Sequence, residues 1–363
     1  MSLPAIKAIA DALPHSKILF LALGSTASAN SAKVKAYLKG GFIWREVIPK
    51  SISEHAAVYF PSLKTIFVDR THLKPLFKNI KRCYLVGENI SYSFGITKKI
   101  ILLRLLGFRG KIYGVKVRAC LEIFPEHQIC EGKIEHHVLT MLRTVSECPI
   151  VAKYAARNPD LSITINQEVE KKAVDLLLKN LFISGRYAVI SPGSILEFKR
   201  WPEENFVDVA RTIIDQYDLD LIITGSDLDA KLCSRIYDAL AQNKTSRHRV
   251  LNLCGQTSVV TLAAILKSSK FLIANDGGAC HIAASVGCPV ISIANGAEPI
   301  NSVEPWGFQH LTARCVTECS PCYSFTKCPL GTKACVNGVT VGLVLSKIPW
   351  AIRYNEKVVD NNN

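Results

Sequence analysis

The sequence predicts an α/β protein of two domains, each an open, doubly wound parallel sheet. Two observations carry this expectation for the second half: short, unbroken apolar runs alternate with amphipathic stretches, and the runs end at glycine-containing turns. A third concerns size. At 363 residues the chain is too long for one ordinary domain and suits two, and its 48% hydrophobic content can fill two cores.

The elements of the second half follow in order. Residues 187–191 are short, apolar and closed by Pro192-Gly193, as a buried strand is. Residues 203–217 form a helix with Phe206, Val209, Ala210, Ile213 and Ile214 on one face. Then come a strand at 219–224 ended by Gly225, a helix at 229–243 and a short strand at 250–253. A helix at 258–267, a strand at 271–274, a helix at 281–286 and a strand at 290–294 complete the pattern.

The first half is less regular. Residues 17–23, 65–68, 83–86 and 111–115 read as strands and 31–39 and 96–106 as helices, again an open α/β sheet. A polar, proline-containing stretch at 157–166 precedes a helix at 167–180, and the domain boundary is expected near Leu181. This divides the chain into an N-terminal domain at 1–180, a C-terminal domain at 181–345 with a cysteine-rich segment at 315–335, and a tail at 346–363.

Of the net charge of +14, residues 1–180 carry +13, from 27 Lys and Arg against 14 Asp and Glu. A basic half beside a neutral one points to an anionic partner. No helix-turn-helix, zinc-finger or RNA-binding signature is present, so an acidic lipid surface or phosphorylated glycan fits better than nucleic acid. No apolar run is long enough to span a bilayer. Residues 100–107, interrupted by Arg104, read either as a surface-lying amphipathic helix or as a basic-edged helix packed on its own domain.

Lys17, the apolar run 18–24 and the following Ser-Thr-Ala-Ser-Ala have the order of a secretory leader, but the apolar core is at the short limit and serves equally as a first buried strand. Thirteen cysteines, an odd number and mostly scattered, fit a reducing compartment, so a cytoplasmic location is expected.

Three strand-to-helix junctions have the composition of a nucleoside-diphosphate site. Ligands of open α/β sheets bind at the carboxyl ends of the strands, where glycine admits the backbone and helix N-termini favour anions. At the first junction, Ser191, Gly193 and Ser194 offer backbone N–H and hydroxyl groups, and Lys199 and Arg200 offer charge for a leaving diphosphate. Taken alone, an ordinary loop with a solvated basic pair and a buried Trp201 explains those residues as well. At the second, Gly225 is followed by Asp229, an acid placed to bind ribose, while Ser226 and Asp227 read as helix caps. At the third, Asn275, Asp276, Gly277 and Gly278 lead into a helix of small residues whose first turn holds His281. A further turn brings Gly255 and Thr257 to the border of a base, with Thr257 or Ser258 capping the next helix.

The ordered stretches P-G-S, K-R-W-P, L-C-G-Q-T-S and N-D-G-G-A-C-H-I-A-A-S-V-G-C-P-V resemble the family 9 glycosyltransferases, the ADP-heptose:lipopolysaccharide heptosyltransferases, from about Val189 to Cys335. The resemblance implies a GT-B architecture: two Rossmann-like domains facing a cleft, with the donor in the C-terminal one. It also implies inverting, metal-independent transfer of heptose from ADP-heptose to a lipopolysaccharide inner-core acceptor, an anionic glycolipid met at the inner-membrane surface. By position it implies that Lys199 contacts the diphosphate, that Asp276 and His281 are donor-site residues, and that Asp229 is the ribose acid.

Two features stand apart. Cys319, Cys322, Cys328 and Cys335 have spacing that could hold a structural zinc or iron, or could belong to reduced or partly paired structural cysteines. The family's first strand ends in Gly-Asp, whose acid is the proposed base; here Gly24-Ser25-Thr26 stands in its place, with no further aspartate until Asp69. A missing base forfeits about 10²–10⁴-fold in rate. Glu88, after Val86-Gly87, is the candidate substitute, against its reading as a solvated loop acid. Rival readings are therefore a transferase using another nucleotide sugar or a protein acceptor, and a non-catalytic nucleotide-sugar-binding relative.

Overall fold

A computed structural model of the chain describes residues 3–12, 18–19, 63–64, 82–84, 104, 108–113, 129–130, 133–155, 159–241, 249–324 and 327–360. The chain divides into two compact units, Met1–Leu161 and Ser162–Asn363. Gly24, Ser25, Thr26, Asp69, Glu88, the helix expected at 31–39 and, Arg104 apart, the one expected at 96–106 lie outside the described residues.

In the first unit, Ile18–Leu19 pairs in parallel with Leu63–Lys64, and Arg82–Tyr84 with Lys111–Tyr113. Parallel pairing is what an open α/β sheet requires. Helices span Leu3–Ala12, His137–Ser146 and Pro149–Ala155. The His136 imidazole caps the second of these by accepting the Val138 N–H at 3.2 Å, and Arg143 on the same helix pairs with Glu135 at 2.9 Å.

The second unit is built on six strands: β1 (Tyr187–Ser191), β2 (Asp220–Ile223), β3 (Val250–Asn252), β4 (Leu272–Asn275), β5 (Val290–Ala294) and β6 (Ala313–Arg314). All pair in parallel in the order β3-β2-β1-β4-β5-β6. Every residue of β1, β2, β4 and β5 is buried, which is why these strands read as continuous apolar runs rather than alternating ones. The longer helices are α1 (Gln167–Lys179), α2 (Glu203–Tyr217), α3 (Ala230–Ala241), α4 (Val259–Lys267) and α5 (Gly278–Ser285). Short helices α6 (Ala334–Asn337) and α7 (Val341–Leu345) and the C-terminal α8 (Ile348–Asp360) follow the sheet.

Two expectations need adjustment here. Helix α1 belongs to the second unit, so the division falls before it and not near Leu181. Its Ala173 and Leu177 are buried in the same core as the sheet, Glu170 pairs with Lys267 of α4 at 2.7 Å, and the Ile163 N–H donates to Ser285 O at the end of α5. Helix α5 starts at Gly278, three positions before His281, with Gly277 extended at its N-cap.

The strand order fixes where a ligand belongs. The connection from β3 through α4 carries the chain back across β2 and β1 to β4, so the strand order reverses between β1 and β4. At such a switch the loops leaving neighbouring strands part and open a crevice beyond their carboxyl ends. Among the described residues no helix is long and apolar enough to cross a membrane.

Candidate nucleotide-sugar site

The loops leaving β1 and β4 are tied together across this switch. Asn275, the last residue of β4, is 3% exposed; its Oδ1 accepts the Trp201 N–H at 3.0 Å and its Nδ2 donates to Pro192 O at 2.7 Å. A strand-end amide satisfied on both sides fixes two loops at once. Trp201 is the anchor of the first loop: its indole N–H donates to Val339 O at 2.7 Å and its ring meets Phe206 edge-on at 5.1 Å. The buried Trp therefore positions the basic pair that precedes it.

That pair divides its work. Lys199, at the end of the short turn Glu197–Lys199, lies 3.9 Å from the Asp276 carboxylate, and both side chains retain 14% exposure. This charged pair lies mostly buried at the carboxyl end of the sheet. Burial raises the Asp276 carboxyl above the usual range, and the charges of Lys199 and then Arg314 pull it back only in part. Arg200 instead turns along the loop. It donates to Ser194 O at 2.9 Å and faces Asp229 at 3.5 Å, so its charge is already engaged by the protein.

Asp229 is engaged within its own loop. Its Oδ2 accepts both the Ser226 N–H at 3.0 Å and the Ser226 hydroxyl at 2.6 Å, a reciprocal cap on the turn Asp227–Asp229, while Oδ1 faces Arg200. This carboxylate therefore helps to hold the loop. Gly193 packs on it so closely that a Cβ there would run into the carboxylate. Asp227 is exposed and lies beside Gly255, whose φ of +72° suits glycine and where a Cβ would meet Asp227 Oδ1. Gly225 is needed for close packing too, with Asp229, Cys254 and Cys233 atoms at 3.1–3.3 Å from the place of a Cβ.

Gly278 differs: a Cβ there would meet nothing within 4 Å, so the chain's own packing does not require glycine at this first position of α5. The N–H groups at this end of α5 are the natural seat for an anion. His281 sits one turn in and is half-buried. Ser191 closes β1 and is 8% exposed, and Thr257 is half-buried before Ser258, which caps α4 by accepting the Thr261 N–H at 3.1 Å.

The structure thus joins Ser191, Gly193, Ser194, Lys199, Arg200, Asn275, Asp276, Gly277 and Gly278 at one switch point, with Gly225 and Asp229 packed beside them. Among the described residues no group of three or more His, Cys, Asp or Glu side chains is placed to hold a metal ion, and Cys319, Cys322, Cys328 and Cys335 are free thiols. The cysteine segment packs on the loop after β5. The Cys322 N–H donates to Gly296 O, and Gly296 lies against Ser320 and Cys335. Arg314 was not legible in the sequence as a neighbour of Asp276, because β6 has only two residues and no motif marks it.

The sequence model of glycosyltransferase family 9 (heptosyltransferase) matches residues 109–331. A lipooligosaccharide heptosyltransferase 2 of Campylobacter jejuni subsp. jejuni serotype O:6 is 27% identical over 220 residues, 60% of this chain and 64% of the relative. The match therefore spans just under two thirds of that relative's length. The lipopolysaccharide heptosyltransferase 2 of Escherichia coli K12 is 27% identical over 101 residues, 28% of each chain. Among solved structures, a family 9 glycosyltransferase from Veillonella parvula aligns with a TM-score of 0.62 at 16% identity over 96% of this chain and 92% of that one. The ADP-heptose LPS heptosyltransferase II of E. coli aligns with a TM-score of 0.56 at 18% identity over 85% and 88%. These likenesses show the GT-B fold. With the family match covering more than half of its length, this chain belongs to glycosyltransferase family 9, the heptosyltransferase family.

Proposed function

We propose that the chain is an inverting glycosyltransferase that moves a heptose from ADP-heptose to a lipopolysaccharide inner-core acceptor. The observation that carries this reading is the Lys199–Asp276 pair at the switch point, beside the glycine-led start of α5. In direct displacement, the acceptor oxygen bonds to the anomeric carbon as the bond to the diphosphate breaks, and the hydroxyl proton passes to a base or to solvent. Negative charge then collects on the departing diphosphate, where Lys199 and the N–H groups of α5 offset it. Asp276, an acceptor of hydrogen bonds when ionised, is placed to hold a hydroxyl of the sugar.

Support for the donor comes from relatives: an E. coli heptosyltransferase has been solved with ADP and with ADP-2-deoxy-2-fluoro heptose. The basic first half, +13 over residues 1–180, supports an anionic glycolipid acceptor met at the cytoplasmic face of the inner membrane. Thermal-shift titration with ADP, UDP, GDP and their sugars tests the donor, since a ligand of the native state raises its melting temperature. Selective stabilisation by ADP compounds is expected, and no response to any nucleotide overturns the reading. A second reading, a non-catalytic nucleotide-sugar-binding protein, is favoured by Gly24-Ser25 in place of Gly-Asp. Release of ADP from ADP-heptose with heptose-deficient lipopolysaccharide separates the two.

A further inference from the structure

Helix α1 buries Ala173 and Leu177 in the core of the second unit, yet the stripe beside them is apolar too. Val174, Leu178, Leu181 and Ile183 are 41% to 63% exposed. Single apolar residues on a surface need no explanation. Four within ten positions make a patch, and exposed apolar patches mark interaction sites.

The end of the helix shows that the patch is kept at a cost in stability. The Phe182 N–H donates to Leu177 O at 2.9 Å and the Leu181 N–H to Leu178 O at 2.9 Å, which completes a C-terminal cap whose apolar contact is the buried Phe182. Such a cap holds one residue in the left-handed region, where glycine is favoured; here that residue is Leu181, at φ +64°. Leu181 is also the most exposed of the four, so packing within the chain does not offset the strain.

The charges beside the patch indicate what covers it. The ion pairs of α1 are Glu168–Lys172 and Glu170–Lys267. Asp175 and Lys179 stand exposed, one turn apart on the same flank of the stripe, with no such pairing among the described residues. An anionic lipid surface would repel Asp175. A second copy of the same face satisfies both charges. When two α1 helices pack antiparallel about a two-fold axis level with Leu177, each Asp175 comes opposite Lys179 of the other copy. Leu178 of one copy then falls between Val174 and Leu178 of the other, as interdigitating helices require. Helix α1 leads into the amino end of β1, whereas the donor site lies at the carboxyl ends of the strands, so this contact leaves that site uncovered.

We propose that the face formed by Val174, Leu178, Leu181 and Ile183 is the docking surface for a second copy of this chain, joined through two α1 helices in an antiparallel, two-fold pair. The pairing does not depend on the donor-site reading above.

Sedimentation velocity on the full chain over roughly 1–100 μM tests this, because association of copies depends on protomer concentration. The parent is expected to dimerise, and Leu178→Asp to stay monomeric at concentrations about tenfold higher. Asp175→Lys and Lys179→Asp are each expected to weaken the dimer by setting like charges face to face, and the double variant to restore it. Leu181→Gly separates docking from folding. It is expected to raise the melting temperature of the dilute monomer, by relieving the left-handed leucine, while weakening the dimer. The proposal is overturned if the parent is monomeric throughout, if Leu178→Asp dimerises as the parent does, or if the double charge reversal dimerises no better than the single ones. Binding of a monomeric parent to vesicles of phosphatidylglycerol and phosphatidylcholine, abolished by Leu178→Asp, would assign the face to a lipid surface and overturn it as well.

Discussion

Asn275 and Trp201 are bound to each other across the point where the strand order reverses: the Trp201 N–H donates to Asn275 Oδ1 at 3.0 Å. The other end of the same amide donates to Pro192 O, so one side chain sets the distance between the loops of β1 and β4. Asn275→Ala is expected to leave two buried backbone groups unpaired, at about 1–3 kcal/mol each. Urea denaturation measures that loss, and nucleotide affinity is expected to fall with it because Lys199 and Asp276 ride on these two loops. Unchanged stability would show that the amide is not the tie described.

Gly193→Ala tests the close approach to Asp229. The added methyl would drive the carboxylate off Ser226 and Arg200, and overpacking of this kind costs about 1–3 kcal/mol. In Asp229→Ala, already less stable through loss of the cap, the same methyl meets no carboxylate. The double variant should therefore be more stable than the sum of the single losses predicts. Simple additivity would count against the contact.

The six-strand sheet was largely legible because its strands are buried on both faces and read as apolar runs bounded by glycine. The three junctions were legible for the same reason, since each follows a strand end. What escaped was set by contacts between residues distant in sequence or by backbone geometry. The residues 157–166 do mark a boundary, but α1 after them packs on α4, and nothing local to its sequence says so. That Asp229 caps its own turn is shown only by the hydrogen bonds from Ser226, and no local pattern announces it. Glycines at 277 and 278 hid the start of α5, because glycine is a poor helix former. Arg314 meets partners 10 to 19 residues away through a two-residue strand, a pattern with no periodicity to detect.

Asp276→Asn gives a pH-dependent signature. Burial holds this carboxyl above its ordinary value, so ionising it costs the folded state something. The contribution of such a group is intact below the unfolded carboxylate value and is lost as pH rises through the folded one. Asparagine does not titrate. The stability of Asp276→Asn relative to the parent should therefore increase from about pH 4 upward and level off once Asp276 is ionised. Urea midpoints across that range check the sign, and a difference that shrinks with pH would mean that Lys199 and Arg314 outweigh burial. Turnover is expected to fall in the same variant, as is usual where a site is held at the expense of stability.

Lys199 and Arg200 are adjacent, equally charged and set to opposite tasks, which their variants should separate. Arg200 is bonded to Ser194 O and faces Asp229, so Arg200→Ala loosens the loop and exposes a carboxylate stripped of its cation. Its expected effect is on stability and on the Michaelis constant for the donor, both of which depend on the loop being in place. Lys199 has a single pairing among the described residues, at 3.9 Å, and in the proposed reaction it stands where charge develops as the diphosphate departs. Lys199→Met should therefore lower kcat by about 10²–10³-fold with little change in melting temperature, as loss of one preorganised donor at a developing anion does. Lys199→Arg keeps the charge but not its placement, and should recover part of that loss. Steady-state kinetics with the nucleotide sugar, alongside thermal melts of the same preparations, distinguish the two residues. Equal kinetic losses at both positions would mean that the pair acts only as a patch of positive charge, and the division read from their partners would be wrong.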